Sequence, residues 1–281
     1  MTKALSEAEV ELYRREGYVF PVPVMPAAEA VELRAKLEAF EAAHGGKLEP
    51  HHRNKAHLLF KWLDDLIRDA RMLDPVEDLI GPNILCWNTI FWIKEAGAAS
   101  YVSWHQDKRY WGLVEGEVIS CWLALSPATV ESGCMRVMPG SHARDVLPHE
   151  DLYHPDNVLT RGQEISAGID EDRAVYMPLQ PGQMSIHSIG TAHASAPNRS
   201  SDRRIGVSMH FMPTHARQTI GDWDSAALVR GIDEYVNFHH TPLPGIDQDP
   251  ATAAFHARAA QATSDILYHG AEHRTGKLAA R

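Results

Sequence analysis

The chain has 281 residues, 44% hydrophobic and 23% charged, which is enough apolar matter for a sizeable core and excludes an intrinsically disordered chain. A net charge of -10, from 27 basic and 37 acidic residues, fits poorly with wrapping a nucleic-acid backbone, which needs clustered positive charge.

The pattern predicts helices first. Ser6 and Glu9 have capping-box spacing, Val10 and Tyr13 continue an apolar face, and Gly17 is a stop signal. Tyr18 to Phe20 reads as a short strand. Pro26 opens a helix over 27–44, closed by Gly45 and Gly46. A third helix is expected over 57–71 and a short one over 75–80, ended by Gly81 and Pro82. From 84 onward the chain changes character. Runs at 84–94, 101–106, 118–125, 135–138, 174–177, 183–187, 191–195 and 205–211 are rich in β-branched and aromatic residues between turn residues. This predicts a sandwich or jelly roll. Residues 143–173 are polar and aperiodic, as in an insertion that forms a lid or binding loop. Helices are predicted again over 222–238 and 250–269, and 273–281 reads as a frayed tail. The whole reads as one domain: helical over 1–82, a β core over 83–213, and C-terminal helices over 214–272.

Cys86 and Cys121 sit in apolar runs, and with Cys134 the cysteines number three, which suggests reduced thiols and a reducing compartment. The first residues carry no apolar signal segment, and no apolar run approaches the ~18 residues of a membrane span. A cytoplasmic location is the expectation. Oligomeric state is left open.

The chemistry starts at His105-Gln106-Asp107. On a strand, residues two apart share a face, so one imidazole and one carboxylate are expected to meet. A second His would complete a 2-His-1-carboxylate facial triad for Fe(II), with positions open for dioxygen and a co-substrate. The segment 182–211 supplies candidates. His193 and Ser195 share a strand face, and Arg204 begins the returning strand. His187 and, behind it, His210 compete with His193 for the third ligand position. Iron with one carboxylate keeps one positive charge, and a dicarboxylate such as 2-oxoglutarate leaves a net negative charge in a dry pocket. A fixed guanidinium matches that need. Arg203 and Arg204 point oppositely, and position favours Arg204.

The ordered set resembles the phytanoyl-CoA dioxygenase family of Fe(II)/2-oxoglutarate-dependent oxygenases. It comprises His-x-Asp at 105–107, Met-Pro-Gly-Ser-His at 138–142, His-x-Ser at 193–195 and Arg204, with Arg-Glu-Gly-Tyr-Val at 15–19 before them. The resemblance implies a double-stranded β-helix, a jelly roll flanked by helices. It implies iron on His105, Asp107 and His193, and the far carboxylate of 2-oxoglutarate on Arg204 and Ser195. Trp122 falls where the family packs a tryptophan against the co-substrate, and Gln106 where some members use a residue near it. The implied reaction couples oxidative decarboxylation of 2-oxoglutarate, giving succinate and carbon dioxide, to hydroxylation by dioxygen. Related halogenases lack the carboxylate, so Asp107 favours hydroxylation.

For the substrate, Lys108, Arg109 and Tyr110 follow the triad element and Asn88 lies on the strand before it; all four are candidates to hold a small anionic or zwitterionic molecule. An amino-acid derivative or an organophosphonate fits better than an acyl-CoA, since no separate basic cluster awaits the nucleotide phosphates. A non-catalytic binding or sensor protein on the same jelly roll, and a cupin-like hydrolase or isomerase with another metal, are the alternatives.

Overall fold

A computed structural model describes residues 2–275 and residue 277. Residues 276 and 278–281 of the expected tail lie outside the described residues.

The N-terminal expectations translate directly into structure. Helix α1 (Glu7–Glu16) starts at a Ser6–Glu9 capping box and ends at Gly17, whose φ of +82° suits glycine. Strand β1 (Tyr18–Pro23) and helix α2 (Ala27–Ala43) follow. The single helix expected over 57–71 is instead a 3-10 turn at 56–58 and helix α3 (Lys61–Ile67). Helix α4 (Ala70–Ile80) then absorbs the short helix expected at 75–80. Asp69 causes the break: its extended backbone and its side chain, which accepts from the Arg71 N–H, start a new helix.

The β region comprises β2 (Ile84–Lys94), β3 (Val102–His105), a single turn α5 (Lys108–Trp111), β4 (Leu113–Val114), β5 (Ile119–Ala124) and β6 (Met135–Val137). The aperiodic insertion holds a hairpin, β7 (His149–Asp151) and β8 (Gln163–Ile165). After it come β9 (Val175–Met177), β10 (Gln183–Ser188), β11 (His193–Ser195), β12 (Arg204–Pro213) and β13 (Arg217–Gln218).

The helix predicted over 222–238 does not form. That segment is β14 (Ser225–Arg230), antiparallel to β2, followed by β15 (His239–His240). A short apolar run such as Ala-Ala-Leu-Val is ambiguous by period alone, and here a buried polar knot decides. Asp224 accepts from Trp87 Nε1 at 2.7 Å and Gln218 Nε2 at 2.9 Å. The fully buried Lys55 donates to the carbonyls of Trp87 and Ser225. Burial lowers the Lys55 pKa, and the Asp224 charge opposes that shift. The extended backbone of β14 thus supplies a partner that the ammonium needs. Helix α6 (Pro250–Leu267) is the last helix among the described residues.

Seven strands form the larger sheet in the order β1-β10-β5-β12-β2-β14-β15, and four form the smaller one in the order β3-β11-β6-β9. Strands from both sides of the expected 83–213 core therefore extend the large sheet. Strand β12 shows how the layers divide. Ile205, Val207, Met209 and Phe211 face a core shared with Leu63, Ile67, Met72 and Val76 of the helices. The alternate residues Arg204, Ser208 and His210 line a cavity, as do His105, His193 and Met135 of the smaller sheet. The cavity therefore lies between the two sheets of a jelly roll, with helices outside.

Candidate metal centre and co-substrate pocket

Strands β3 and β11 pair antiparallel with His105 directly opposite His193, and the ring centroids lie 4.1 Å apart. The expected route to the third ligand is corrected. Strand β3 ends at His105, and Asp107 has helical angles (φ -57°, ψ -39°) at the entrance to α5. A turn rather than a shared strand face returns the carboxylate to the imidazoles. One ligand atom from each of His105, Asp107 and His193 lies within 4.8 Å of the others, and all three residues are buried.

The donor set fits a divalent metal. His105 Nδ1 lies 2.9 Å from the carbonyl of Ser103, and His193 Nδ1 lies 3.0 Å from that of Thr191. A carbonyl only accepts, so each Nδ1 carries the proton and each Nε2 keeps its lone pair for the metal. Burial, with the nearby His105, lowers His193 to about 4, so it is neutral near pH 7. Burial pushes the Asp107 carboxyl up, but the adjacent imidazoles of His105 and His193 outweigh it and hold it below the usual carboxylate range. Two neutral imidazoles and a carboxylate suit iron better than a thiolate site would.

The two other motifs explain how His193 is held. The Gly17 carbonyl accepts from the Ser188 N–H at 3.0 Å and from Thr191 Oγ1 at 2.8 Å. Ser141 Oγ accepts from the Ala192 N–H at 2.8 Å. A Cβ at Gly17 would lie 2.4 Å from His142 Nδ1. The end of α1 and the Pro-Gly-Ser-His loop thus clamp the turn that delivers His193.

Arg204 is buried on the cavity wall. Its Nη1 donates to the Gly133 carbonyl at 2.9 Å, its Nε has no partner among the described residues, and its guanidinium lies 5.2 Å from the Trp122 ring centre. Burial lowers it to about 10. Arg203 turns away to bond Glu41 and Glu95. Ser195 Oγ accepts from Lys94 Nζ at 2.7 Å, which leaves its own proton free to donate. Sequence reasoning missed Lys94. It is buried, stands opposite Arg204 in the β2–β12 ladder and lines the cavity. The available signal was a lone cation ending an apolar strand.

Residues 13–206 match the phytanoyl-CoA dioxygenase (PhyH) family. The chain belongs to this family of Fe(II)/2-oxoglutarate-dependent oxygenases. Membership makes iron, 2-oxoglutarate and dioxygen its reagents. A solved non-heme monooxygenase, ThoJ in its apo form, is 33% identical over 94% of this chain and 99% of that one, with a TM-score of 0.83. A probable alpha-ketoglutarate-dependent hypophosphite dioxygenase of Stutzerimonas stutzeri is 27% identical over 59% of this chain, which spans 58% of that protein's length. A methylphosphonate hydroxylase of Gimesia maris is 24% identical over 73% of this chain and 79% of its own.

The cavity of this family member measures about 160 Å³. Its walls are mostly apolar and include Ile90, Trp92, Trp111, Trp122, Val158 and Leu159. Thr160 and Gln163 come from the insertion, whereas Leu267 and Lys277 come from beyond the matched region. Five expected contacts are corrected. Gln106 spends its amide elsewhere: Nε2 donates to the Gly190 carbonyl at 2.7 Å, and Oε1 accepts from the Leu147 N–H at 2.8 Å. The Asn88 side chain is spent on Asn54 and on the Lys55 N–H. Lys108 and Arg109 are exposed on α5. Tyr110 is buried beneath the Arg161 guanidinium, 5.1 Å from its ring centre, and beside His149. None of these five side chains lines the cavity wall. His210, a competitor for the metal, is engaged by Ser120 Oγ at 2.9 Å, and Ser120 Oγ donates to Asp107 Oδ2 at a long 3.4 Å. No helix among the described residues is long and apolar enough to cross a membrane.

Proposed function

We propose that the chain hydroxylates an unactivated C–H bond of a small anionic or zwitterionic substrate, an amino-acid derivative or an organophosphonate. In this reading substrate, dioxygen and 2-oxoglutarate give alcohol, succinate and carbon dioxide. His105, Asp107 and His193 hold the iron, which when bound supplies the activation of dioxygen. Arg204 and Ser195 take the far carboxylate of 2-oxoglutarate, with the Trp122 ring against it and Lys94 orienting the Ser195 hydroxyl. The protein's share is placement, electrostatics and exclusion of water.

The observation that carries the substrate class is Arg53. It lines the cavity, yet no described residue accepts a hydrogen bond from it. Burial lowers its pKa, and Glu41 and Glu95, which oppose that shift from a distance, bond Arg203 instead. A half-buried cation without a partner fits an anionic ligand. The apolar walls and small volume fit a compact one. Relatives named for hypophosphite and methylphosphonate support a phosphorus oxyanion.

The test is succinate release with a panel of zwitterions and organophosphonates. One or more should accelerate it, and stimulation by acyl-CoA alone would refute the assignment. Loss of an outer contact to a ligand costs ~10–100-fold in metal affinity or activity, so Asp107→Ala should cost about 100-fold or more. Full activity in that variant would remove Asp107 from the site.

A further inference from the structure

His187 stands on β10, opposite Ser120 of β5 in the ladder. Its ring lines the cavity, with its centre 4.5 Å from that of His193. The residue is 2% exposed, and neither ring nitrogen has a hydrogen-bond partner among the described residues. That sets it apart from its neighbours. His105, His193 and His210 each have Nδ1 engaged, at 2.9, 3.0 and 2.9 Å. His187 is also outside the group whose ligand atoms converge.

A buried imidazole with both nitrogens idle is rare, because native interiors pair their polar groups. The cavity it lines is the place where a partner for it can sit. Burial disfavours its charged form, so the ring offers one N–H and one lone pair. Its surroundings say which end of the cavity it serves. Its ring lies against that of His193, one of the converging ligands, and its ladder partner Ser120 reaches Asp107 through the hydroxyl. His187 therefore belongs to the metal end.

We propose that His187 is a second anchor for 2-oxoglutarate, donating its ring N–H to a carboxylate oxygen at the keto-acid end that chelates the metal. This rests on the reading above, in which Arg204 holds the far carboxylate. A metal-bound water offers similar oxygen chemistry and is the source to be distinguished.

The experiment is anaerobic titration of the Fe(II)-loaded full chain with 2-oxoglutarate, followed by the visible charge-transfer band of the chelate. His187→Leu should weaken binding about 10- to 100-fold, the usual worth of a hydrogen bond to a charged group, and should shift the band. His187→Gln, which keeps an N–H donor, should recover most of the affinity. Metal affinity without co-substrate should stay at the parent value in both variants. Parent-like affinity and band in His187→Leu would overturn the proposal. So would equal losses in both variants, since the ring would then act by packing. A loss already present in the metal titration would assign the contact to a water or to His193, and would equally overturn it. Arg204→Met is the control for the underlying reading. If it loses co-substrate affinity while His187→Leu does not, only the His187 assignment falls. If it also binds normally, the co-substrate site itself is wrong.

Discussion

Lys94 and Arg204 face each other across the β2–β12 ladder, so two cations meet at one end of the cavity. Burial and the Arg204 charge pull Lys94 down to about 6. Its Nζ nevertheless reaches three acceptors, Ser195 O, Ser195 Oγ and Ala196 O, which only the ammonium form can fully satisfy. An anion arriving at Arg204 should therefore raise the Lys94 pKa. The bound state then holds more protons than the free state, so binding tightens as pH falls. We expect 2-oxoglutarate affinity to rise from about pH 8 towards 6 and to level below that, with net proton uptake visible as a buffer-dependent heat of binding. Lys94→Met should abolish the uptake. Affinity independent of pH in the parent protein would contradict this account.

Gly206 tests the Trp122 contact without touching either partner. A Cβ there would lie 2.0 Å from Trp122 Cζ2, so Gly206→Ala must push the indole off its seat beside Arg204. Overpacking of this kind costs ~1–3 kcal/mol. If Trp122 and Arg204 form the co-substrate end, 2-oxoglutarate should bind about tenfold or more weakly, and the melting temperature should also drop. A melting shift with unchanged co-substrate affinity would remove Trp122 from that site.

Arg161 ties the insertion to the last helix. Its Nε donates to the Leu267 carbonyl at 2.6 Å and its Nη2 to that of His269 at 2.7 Å. It also satisfies carbonyls at a helix end, which otherwise lack partners. Arg161→Ala should speed amide exchange in 153–165 and at the end of α6 while leaving β12 protected. Hydrogen exchange read by mass spectrometry measures both. Uniformly faster exchange would show global destabilisation instead.

Buried neutral histidines make the metal-free protein acid-sensitive well before its carboxylates titrate. Burial holds His57 well below 6.5, and lowers His210 to about 4. A depressed histidine stabilises the fold at pH values above its unfolded pKa. That contribution disappears as pH falls from 6.5 through the folded value. The His210 shift from 6.5 to about 4 corresponds to ~3 kcal/mol at about 1.4 kcal/mol per unit. Urea unfolding of the metal-free protein should be flat from about pH 8 to 7 and fall steeply by about pH 5. A stability that held steady or rose over that range would contradict the neutral assignment.

Much of the site could be read from the sequence because its parts lie in short motifs in a fixed order. His105, Asp107, His193, Ser195 and Arg204 all line the cavity. The reasoning by strand period was sound for Ser195 and for the Arg203–Arg204 choice, where the strands extend. It failed at Asp107, because β3 stops at His105, while the expectation for Gln106 rested on the family resemblance alone. Lys94 was missed as a partner of the site, and His187 was read only as a competing metal ligand. Their roles depend on ladder register, which no local pattern specifies. The strand at 225–230 was missed for a similar reason: the Lys55 and Asp224 that fix it are 169 positions apart. Arg53 lies between the 15–19 and 105–107 motifs and reaches the cavity because the turn at Pro50–Arg53 packs against β2.

Part of the cavity wall comes from segments that carry none of the converging metal-ligand residues. Leu267 and Lys277 border it from outside residues 13–206, and Arg161 fastens the insertion to the same helix end. The rim can be recut by exchanging the insertion together with α6, as one matched pair, while the iron ligands and their clamps stay in place. Exchanging the insertion alone would remove Arg161 and leave the Leu267 and His269 carbonyls without their donor, and exchanging the helix alone would move those carbonyls from under the guanidinium.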